Sequence, residues 1–236
     1  MIGILGAMEE EVAAICAALH GKTVRRLAGT DFVCGQAFGT GVCICQCGVG
    51  KVNAAAATQI LISVFGCEKI INTGIGCSLD ENVHIGDAVV AGDLCEWDIN
   101  ITALGEVRGY IEKLGTVHIP ADEALSDKLA AAAAAQGLTV HRGTIVSGDT
   151  FVADSRLKKM LHATFGALCG EMEGAACAHT AALNGVPFAV LRCVSDGGDP
   201  DAQMDYPRFK KTAAAKSTAT VLAFLQTLGK KEEDAG

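Results

Sequence analysis

Short apolar runs alternate with longer segments of helical periodicity along almost the whole chain. Runs rich in Val, Ile, Leu and Cys are typical of buried strands, and they occur at 1–7, 31–38, 41–48, 68–74, 87–93, 114–119, 139–149, 166–172 and 187–196. Segments with apolar residues at helical spacing predict helices at 8–21, 51–65, 123–136, 156–165, 174–185 and about 206–228. Gly39-Thr40 separates two of the strands as in a hairpin, and Asp122 is a suitable N-cap for the third helix.

This alternation predicts a single α/β domain over residues 1–229, in which a mixed central β-sheet is sandwiched by helices. No Pro-, Ser- or Gly-rich linker divides the chain, and the charged segment 230–236 is expected to be a disordered tail. In folds of this class ligands bind beyond the carboxyl ends of the strands. The residues that follow each strand are therefore the candidates for a functional site.

The composition fits a well-buried domain with no nucleic-acid or membrane partner. Half of the 236 residues are hydrophobic, 19% are charged, and the formal net charge is −8. Proteins that bind nucleic acids need clustered cations, whereas the lysines and arginines here are scattered. No apolar run reaches the roughly 18 residues needed to span a bilayer. The N-terminal sequence MIGILGAMEEE lacks the basic region of a secretory signal.

The eleven cysteines predict a reducing environment rather than a disulfide scaffold. Their number is odd, the chain is long and there is no export signal, so we expect a cytoplasmic location. Cys43, Cys45 and Cys47 alternate in a predicted strand and would share one face of it. Because no CxxC or HxxxH pair supports them, we interpret them as small core residues and predict neither a metal nor a cofactor.

Charged and hydroxyl side chains follow the ends of four predicted strands. They are Glu9, Glu10, Glu11, Ser147, Asp149, Glu171, Glu173, Arg192, Ser195 and Asp196. Carboxylates in the first turn of a helix also stabilise its dipole, and a structural ion pair would be enough to explain Arg192 in an apolar strand. Even so, several carboxylates and one cation converge here from strands that are distant in sequence.

Two glycine-rich stretches do not support the binding of nucleotide phosphates. GVGKV at 48–52 has Cys45 where a P-loop needs its first glycine, and Val52 in place of Ser or Thr. GIGCSL at 74–79 has Leu79 where GxGxxG needs its third glycine. There is also no GxSxG elbow, so nucleophilic acyl transfer is not expected.

Seven segments, in this order along the chain, carry a resemblance to a known family: IGILGAMEEEV, GVGKVNAA, IINTG, DINITALG, IVSGDTFV, GEMEGAACAH and VLRCVSD. They resemble the 5'-methylthioadenosine/S-adenosylhomocysteine nucleosidases of the nucleoside phosphorylase superfamily, over nearly the whole chain. The resemblance implies a nucleoside phosphorylase-like fold and hydrolysis of the N-glycosidic bond of both nucleosides. Adenine and the 5-thioribose product would be released.

The resemblance also implies which residues are catalytic. Glu11 would activate the attacking water, and Arg192 would lie near that water and its carboxylates. Asp196 would protonate the purine, with Ser195 orienting it. This division suits the chemistry, because cleavage develops negative charge on the base and positive charge on the ribosyl ring. Asp196 must be protonated when it acts, so its pKa is expected to be raised.

The substrate-binding residues follow from the same resemblance. Met172 and Glu173 would hold the ribose, and Glu171 would help to hold the site or the water. Phe151 would stack on the base, and the backbone of Val152 would read the adenine edge. The 5'-thioalkyl pocket would be lined by Met8, Val49 and Leu104. The last of these would come from the neighbouring subunit of a homodimer.

Leu104 stands where many members of the family have phenylalanine, but the departure from the family pattern that matters is Ile75. The family usually carries Ser or Thr in this position of the site, where a hydroxyl helps to position water or phosphate, and Ile75 lacks it. Three other functions therefore remain alternatives: a phosphate-dependent nucleoside phosphorylase, a hydrolase of futalosine-type nucleosides, and a nucleoside-binding protein without turnover. Hydrolysis is preferred, because phosphorylases carry a phosphate-binding arginine where this chain has Glu9–Glu11.

Overall fold

A computed structural model describes the backbone of residues 1–233 and the side chains of residues 1–229. The strands are β1 (Ile2–Gly6), β2 (His20–Leu27), β3 (Thr30–Ala37), β4 (Thr40–Gln46), β5 (Lys69–Ser78), β6 (Ala88–Glu96), β7 (Ile119–Pro120), β8 (Val140–Ser147), β9 (Ala167–Glu171) and β10 (Phe188–Asp196). The helices are α1 (Glu9–Ala17), α2 (Lys51–Ser63), α3 (Glu123–Ala135), α4 (Ser155–Phe165), α5 (Gly174–Leu183) and α6 (Ala202–Glu233). None of the helices in this part of the chain is long and apolar enough to cross a membrane.

The strands form one mixed sheet, part of which closes on itself. Starting from β5, the pairing runs through β10, β6, β8 and β9 and returns to β5. The first half of the chain adds β1, β4, β3 and β2 beyond β5, with β1 parallel to both of its neighbours. A closed ring leaves no free edge on these five strands. It also brings the ends of β5, β8, β9 and β10 to one place.

Helices cover both faces of the sheet, as the alternation of elements predicted. α1, α3 and α6 pack with β10 and β4 around one apolar cluster that includes Ile4, Leu129 and Phe224. On the other face, α2 and α5 pack together over a cluster that includes Leu61 and Cys45. The predicted single α/β domain with a mixed sheet between helices is thus confirmed. The alternation of the CICQC segment is also confirmed, because its cysteines all lie in the second cluster.

Three boundaries differ from the sequence prediction. The helix predicted for 8–21 ends at Ala17, and β2 begins at His20, where an exposed polar strand gave no apolar signal. The strand predicted for 114–119 shrinks to Ile119–Pro120. Helix α6 starts at Ala202 and extends to Glu233, into the first part of the segment predicted as a disordered tail. Residues 234–236 of that segment lie outside the described residues.

Candidate active site

A pocket of about 530 Å³, including the open space at its mouth, lies where the first and last strands and β9 end. Volumes of this order suit small organic ligands. It is lined by Ala7, Met8, Glu11, Val49, Ile75, Gly76, Cys77, Thr150, Phe151, Val152, Gly170, Glu171, Met172, Glu173, Ser195, Asp196 and Tyr206. The pocket therefore brings together most of the residues singled out in the sequence.

Glu11 is held at the floor of the pocket by backbone donors. Its Oε2 accepts hydrogen bonds from the N–H groups of Ala7 at 2.7 Å and Met8 at 2.9 Å, and its Oε1 accepts one from Ile75 N–H at 3.0 Å. A carboxylate offers about four lone-pair sites, so one on Oε1 stays free for a ligand. Burial raises the pKa of Glu11, although the charge of Arg192 and the three N–H donors oppose the shift.

The close approach of Glu11 to β5 requires glycine at position 74. A Cβ atom on Gly74 would lie 2.6 Å from Glu11 Oε1. Ile75 contributes its backbone N–H to Glu11, while its side chain packs in the apolar core with Ile4 and Val12. The missing hydroxyl at position 75 therefore does not affect the anchoring of this carboxylate.

Arg192 is buried beneath the pocket rather than in its wall. Its Nη2 donates to Asn72 Oδ1 at 2.6 Å and forms an ion pair with Glu171 Oε2, and its Nη1 donates to the carbonyl of Leu191 at 3.0 Å. Burial alone would lower the pKa of Arg192, but the charges of Glu171, Glu173 and Glu11 raise it further above its usual range. The guanidinium is therefore a permanent cation.

The carboxylate of Glu171 accepts hydrogen bonds from four donors within the protein. Its Oε2 accepts from the N–H groups of Glu173 at 2.9 Å and Gly174 at 2.7 Å as well as from Arg192, and its Oε1 accepts from the Ser147 hydroxyl. It also lies at the N-terminus of α5, where the helix dipole favours a negative charge. Glu171 thus has little capacity left for substrate or water, and it positions its neighbours instead.

Glu173 keeps one free carboxylate oxygen in the pocket. Its Oε1 accepts from the N–H of Gly50 at 2.8 Å, while its Oε2 lies 3.7 Å from Arg192 Nη2, too far for a hydrogen bond. Gly50 has φ +102°, a conformation that favours glycine and aims its N–H at this carboxylate. Burial and the charge of Glu171 raise the pKa of Glu173 to about 7.

Asp196 has hydrogen-bond donors but no cation beside it among the described residues. Its Oδ2 accepts from the Ser195 hydroxyl at 2.8 Å, and its Oδ1 accepts from Gly198 N–H at 3.1 Å. Burial raises the pKa of Asp196, although these two hydrogen bonds lower it. The carboxyl group therefore takes up a proton more readily than an exposed aspartate. The expected direction of this shift is confirmed.

Aromatic and apolar side chains form the outer walls. Phe151 packs edge to face against Tyr206 with ring centroids 5.3 Å apart, and the Tyr206 hydroxyl lies 3.3 Å from Met8 Sδ. Phe151 is 45% exposed and Val49 is 51% exposed. Both therefore offer apolar surface to a ligand or a partner chain. The pocket has an acidic floor and an apolar rim.

Two predicted residues, Arg192 and Leu104, lie outside the lining of this chain's pocket, and several residues that were not predicted line it. Leu104 does not line the pocket of this chain and is 82% exposed. Tyr206, Cys77 and Thr150 line the pocket but were not predicted. Tyr206 is an aromatic residue directly before Pro207 and shortly after the strand that ends in Ser195-Asp196. This position in the sequence was the signal that could have indicated it.

Comparison with known proteins gives consistent matches over nearly the whole chain. Residues 1–226 match the phosphorylase superfamily. A 5'-methylthioadenosine/S-adenosylhomocysteine nucleosidase from Treponema pallidum is 37% identical, covering 96% of this chain and 93% of that protein. The Neisseria meningitidis nucleosidase of the same name, solved with methylthio-immucillin-A, superposes with a TM-score of 0.92 at 31% identity, covering 96% of this chain and 98% of that one. The futalosine hydrolase of Helicobacter pylori superposes with a TM-score of 0.91 at 31% identity, covering 96% and 97%.

The buried carboxylate of Glu173 should make stability depend on pH. Its pKa is raised from 4.5 to about 7, so the folded chain binds this proton more tightly than the unfolded chain. The resulting stability is complete below about pH 4.5 and is lost as the pH rises through about 7. We expect the free energy of unfolding of Glu173→Gln, measured in urea, to fall less steeply over this range than that of the wild type.

Glu112→Gln is the matched control, since Glu112 is exposed, and its slope should equal that of the wild type. Identical slopes for the wild type and Glu173→Gln would contradict the prediction.

Proposed function

The chain belongs to the 5'-methylthioadenosine/S-adenosylhomocysteine nucleosidases of the phosphorylase superfamily, and we propose that its pocket hydrolyses the N-glycosidic bond of both nucleosides with water as the nucleophile. The observation that carries the proposal is the pairing of Glu11 and Asp196 in one pocket. The first is a carboxylate with one free lone pair, and the second is a carboxyl group with a raised pKa. These two groups are suited to act as general base and general acid.

Asp196 is proposed as the acid for the departing purine. Protonation of the base relieves the negative charge that develops as the glycosidic bond breaks. The Ser195 hydroxyl and Gly198 N–H fix the carboxyl group, and its burial supports the protonated form. Phe151 would stack on the purine. Among the described residues neither backbone polar group of Val152 has a hydrogen-bond partner, so both are available to the adenine edge.

Glu11 is proposed as the base that deprotonates water. The free lone pair on Oε1 faces the pocket, while the other three lone-pair positions are occupied by N–H donors that prevent rotation of the group. A carboxylate so fixed needs no reorganisation when it accepts the proton. Its negative charge also stabilises the positive ribosyl ring in the transition state.

Glu173 and Met172 are proposed to hold the ribose. The free Oε2 of Glu173 can accept hydrogen bonds from sugar hydroxyls, and the Gly50 contact keeps its other oxygen in place. Arg192 and Glu171 act from beneath as positioning residues, because Nη1 and Nη2 of Arg192 and both carboxylate oxygens of Glu171 are engaged within the protein. Met8 and Val49 offer apolar surface for the 5'-thioalkyl group, with Leu104 of the neighbouring subunit proposed as the third residue.

Water rather than phosphate should be the nucleophile. The floor of the pocket contains Glu11, Glu171 and Glu173, and the cation beneath them, Arg192, is already paired with Glu171; such a cluster repels an anion. We expect adenine release from 5'-methylthioadenosine in phosphate-free buffer, with free 5-methylthioribose as the second product. Liquid chromatography of the products, with and without added phosphate, measures this.

A strict requirement for phosphate would make the protein a phosphorylase. A futalosine-type nucleoside, assayed beside 5'-methylthioadenosine, tests the remaining hydrolase alternative, which the Helicobacter pylori structure keeps relevant. We expect the larger kcat/KM on 5'-methylthioadenosine.

Turnover should depend on both acid–base residues. Glu11→Gln and Asp196→Asn are each expected to lower kcat by about 10²-fold or more, because each removes a proton-transfer group. Steady-state adenine release measures kcat, and thermal unfolding confirms that the variants remain folded. Glu9→Gln is the matched control, since Glu9 is exposed in the first turn of the same helix. Near-parental turnover in both variants would show that the roles assigned to Glu11 and Asp196 are wrong, whereas absence of adenine release by the wild type would favour a nucleoside-binding protein without turnover.

The protein is also proposed to act as a homodimer whose interface completes the pocket. In the apolar segment 97–104, Trp97 and Ile99 pack into this chain's own core, whereas the end of the segment is exposed. There Leu104 is 82% exposed and Val107 is 61% exposed, and Val52 at the start of α2 is 79% exposed. Exposed apolar side chains of this kind are typical of an interface. The cytoplasmic location remains a prediction.

Leu104→Asp should weaken dimerisation and impair turnover together. Leu104 is 82% exposed in its own chain, so the substitution should leave the monomer folded but place an unpaired carboxylate in the apolar interface. Sedimentation velocity measures the dimer, and kcat/KM at the same concentration measures the pocket. Val24→Asp, at an apolar position 63% exposed on β2, should change neither. A fully active monomer of the wild type at assay concentration would overturn the proposal.

A further inference from the structure

A carboxylate, a thiol and an imidazole converge at the junction of β6 and β7, outside the lining of the pocket. His118 Nδ1 lies 2.8 Å from Asp93 Oδ1 and 3.3 Å from Cys95 Sγ. The three atoms all lie within 4.8 Å of one another. Cys95 is fully buried, whereas Asp93 is half-buried and His118 is exposed. The cluster therefore has a buried end and an end open to solvent.

Strand geometry explains why these three side chains meet. Asp93 and Cys95 are two positions apart on β6, and side chains alternate along a strand, so both lie on one face. The pairing of β6 with β7 sets Leu94 against Ile119 in antiparallel register, which places His118 opposite Cys95. Residues opposite each other in such a pair have Cβ atoms close enough for their side chains to touch. The convergence is thus fixed by backbone pairing.

Neither protonation state of His118 Nδ1 gives favourable contacts with both Asp93 and Cys95. If Nδ1 of His118 carries a hydrogen, its good hydrogen bond goes to Asp93, and the thiol of Cys95 has no lone pair on Nδ1 to donate to. If Nδ1 is unprotonated, the thiol can donate to it, but the Asp93 carboxylate then faces a lone pair at 2.8 Å. A cation at the centre would interact favourably with all three atoms at once.

We propose that Asp93, Cys95 and His118 bind a divalent transition-metal ion of the zinc class. In a tetrahedral site with zinc–nitrogen and zinc–oxygen distances of about 2.0 Å and a zinc–sulfur distance of about 2.3 Å, nitrogen lies about 3.5 Å from sulfur and about 3.3 Å from oxygen. The observed separations of 3.3 Å and 2.8 Å differ from these by a few tenths of an ångström. Small side-chain rotations at the exposed end of the cluster are enough to admit the ion.

The ligand set also selects the class of ion. Mixed nitrogen, sulfur and oxygen donors suit zinc and its neighbours, whereas calcium and magnesium require oxygen ligands. Binding releases the Cys95 thiol proton to solvent, and neutral His118 supplies the lone pair of Nδ1. Thiolate and carboxylate then balance the charge of a divalent ion. The fourth position faces solvent between Asp93 and His118, and water would occupy it.

Cobalt(II) is the probe for this site, because bound thiolate gives it a charge-transfer absorption band and a four-coordinate site gives it intense visible bands. We expect both when the chelator-treated full-length protein is titrated with cobalt, and we expect zinc to displace them. Cys95→Ser should lose the charge-transfer band. His118→Asn should weaken binding at least about tenfold, since loss of supporting groups around a metal alone costs this much. Neither readout depends on nucleoside hydrolysis.

Two controls separate this site from other cobalt binding. His141→Asn removes a histidine that pairs with Asp87 at 2.9 Å, and it should leave the spectrum unchanged. Cys34→Ser removes one of the two neighbouring thiols on β3 and β4, and it should also have no effect. His118 is exposed, so its variant tests the site even if the variant of buried Cys95 fails to fold. Absence of a charge-transfer band in the wild type, or its persistence in His118→Asn at unchanged affinity, would overturn the proposal.

Discussion

The ion pair between Arg192 and Glu171 is the interaction on which the rest of the site depends. It lies almost wholly out of solvent, where an isolated charge would cost several kcal/mol even after relaxation of the protein. The fold meets that cost by surrounding the pair with polar partners. Asn72 comes from β5, Ser147 from β8, and the N-terminus of α5 supplies two N–H groups. Removal of either partner would leave an uncompensated charge beneath the pocket.

Glu171 and Arg192 come together because the sheet closes on itself. In an open sheet β9 and β10 would not both lie next to β5, whereas here both pair with it and carry Glu171 and Arg192 to the same side. The acids of the pocket then divide into two environments. Glu11 is held by backbone N–H groups and a nearby cation, whereas Asp196 is buried without a cation in the described part of the chain. Environments that differ in this way allow one carboxyl group to act as a base and another as an acid.

The sequence predicted the position of a site residue where the local pattern of apolar and polar residues determines that position. Polar residues directly after apolar strands had to meet at one edge of the sheet, and Glu11, Glu173 and Asp196 do so. Tyr206 was not predicted, because its approach to Phe151 depends on how α6 packs against the sheet. The role of Glu171 was also only partly predicted. The residues next to Glu171 in the sequence cannot show that four donors bind its carboxylate oxygens, because two of these donors, Ser147 and Arg192, come from distant parts of the chain.

The hydrogen bond from the Ile75 backbone to Glu11 has a consequence for protein engineering. Because the main chain anchors the carboxylate, the side chain at position 75 can vary without moving it, provided that Gly74 leaves room beside it. Acid–base chemistry and the shape of the neighbouring wall are then separate design variables. Because the Ile75 side chain packs in the apolar core, a library at position 75 should keep to apolar residues of similar volume, which preserve both this packing and the anchor of the base.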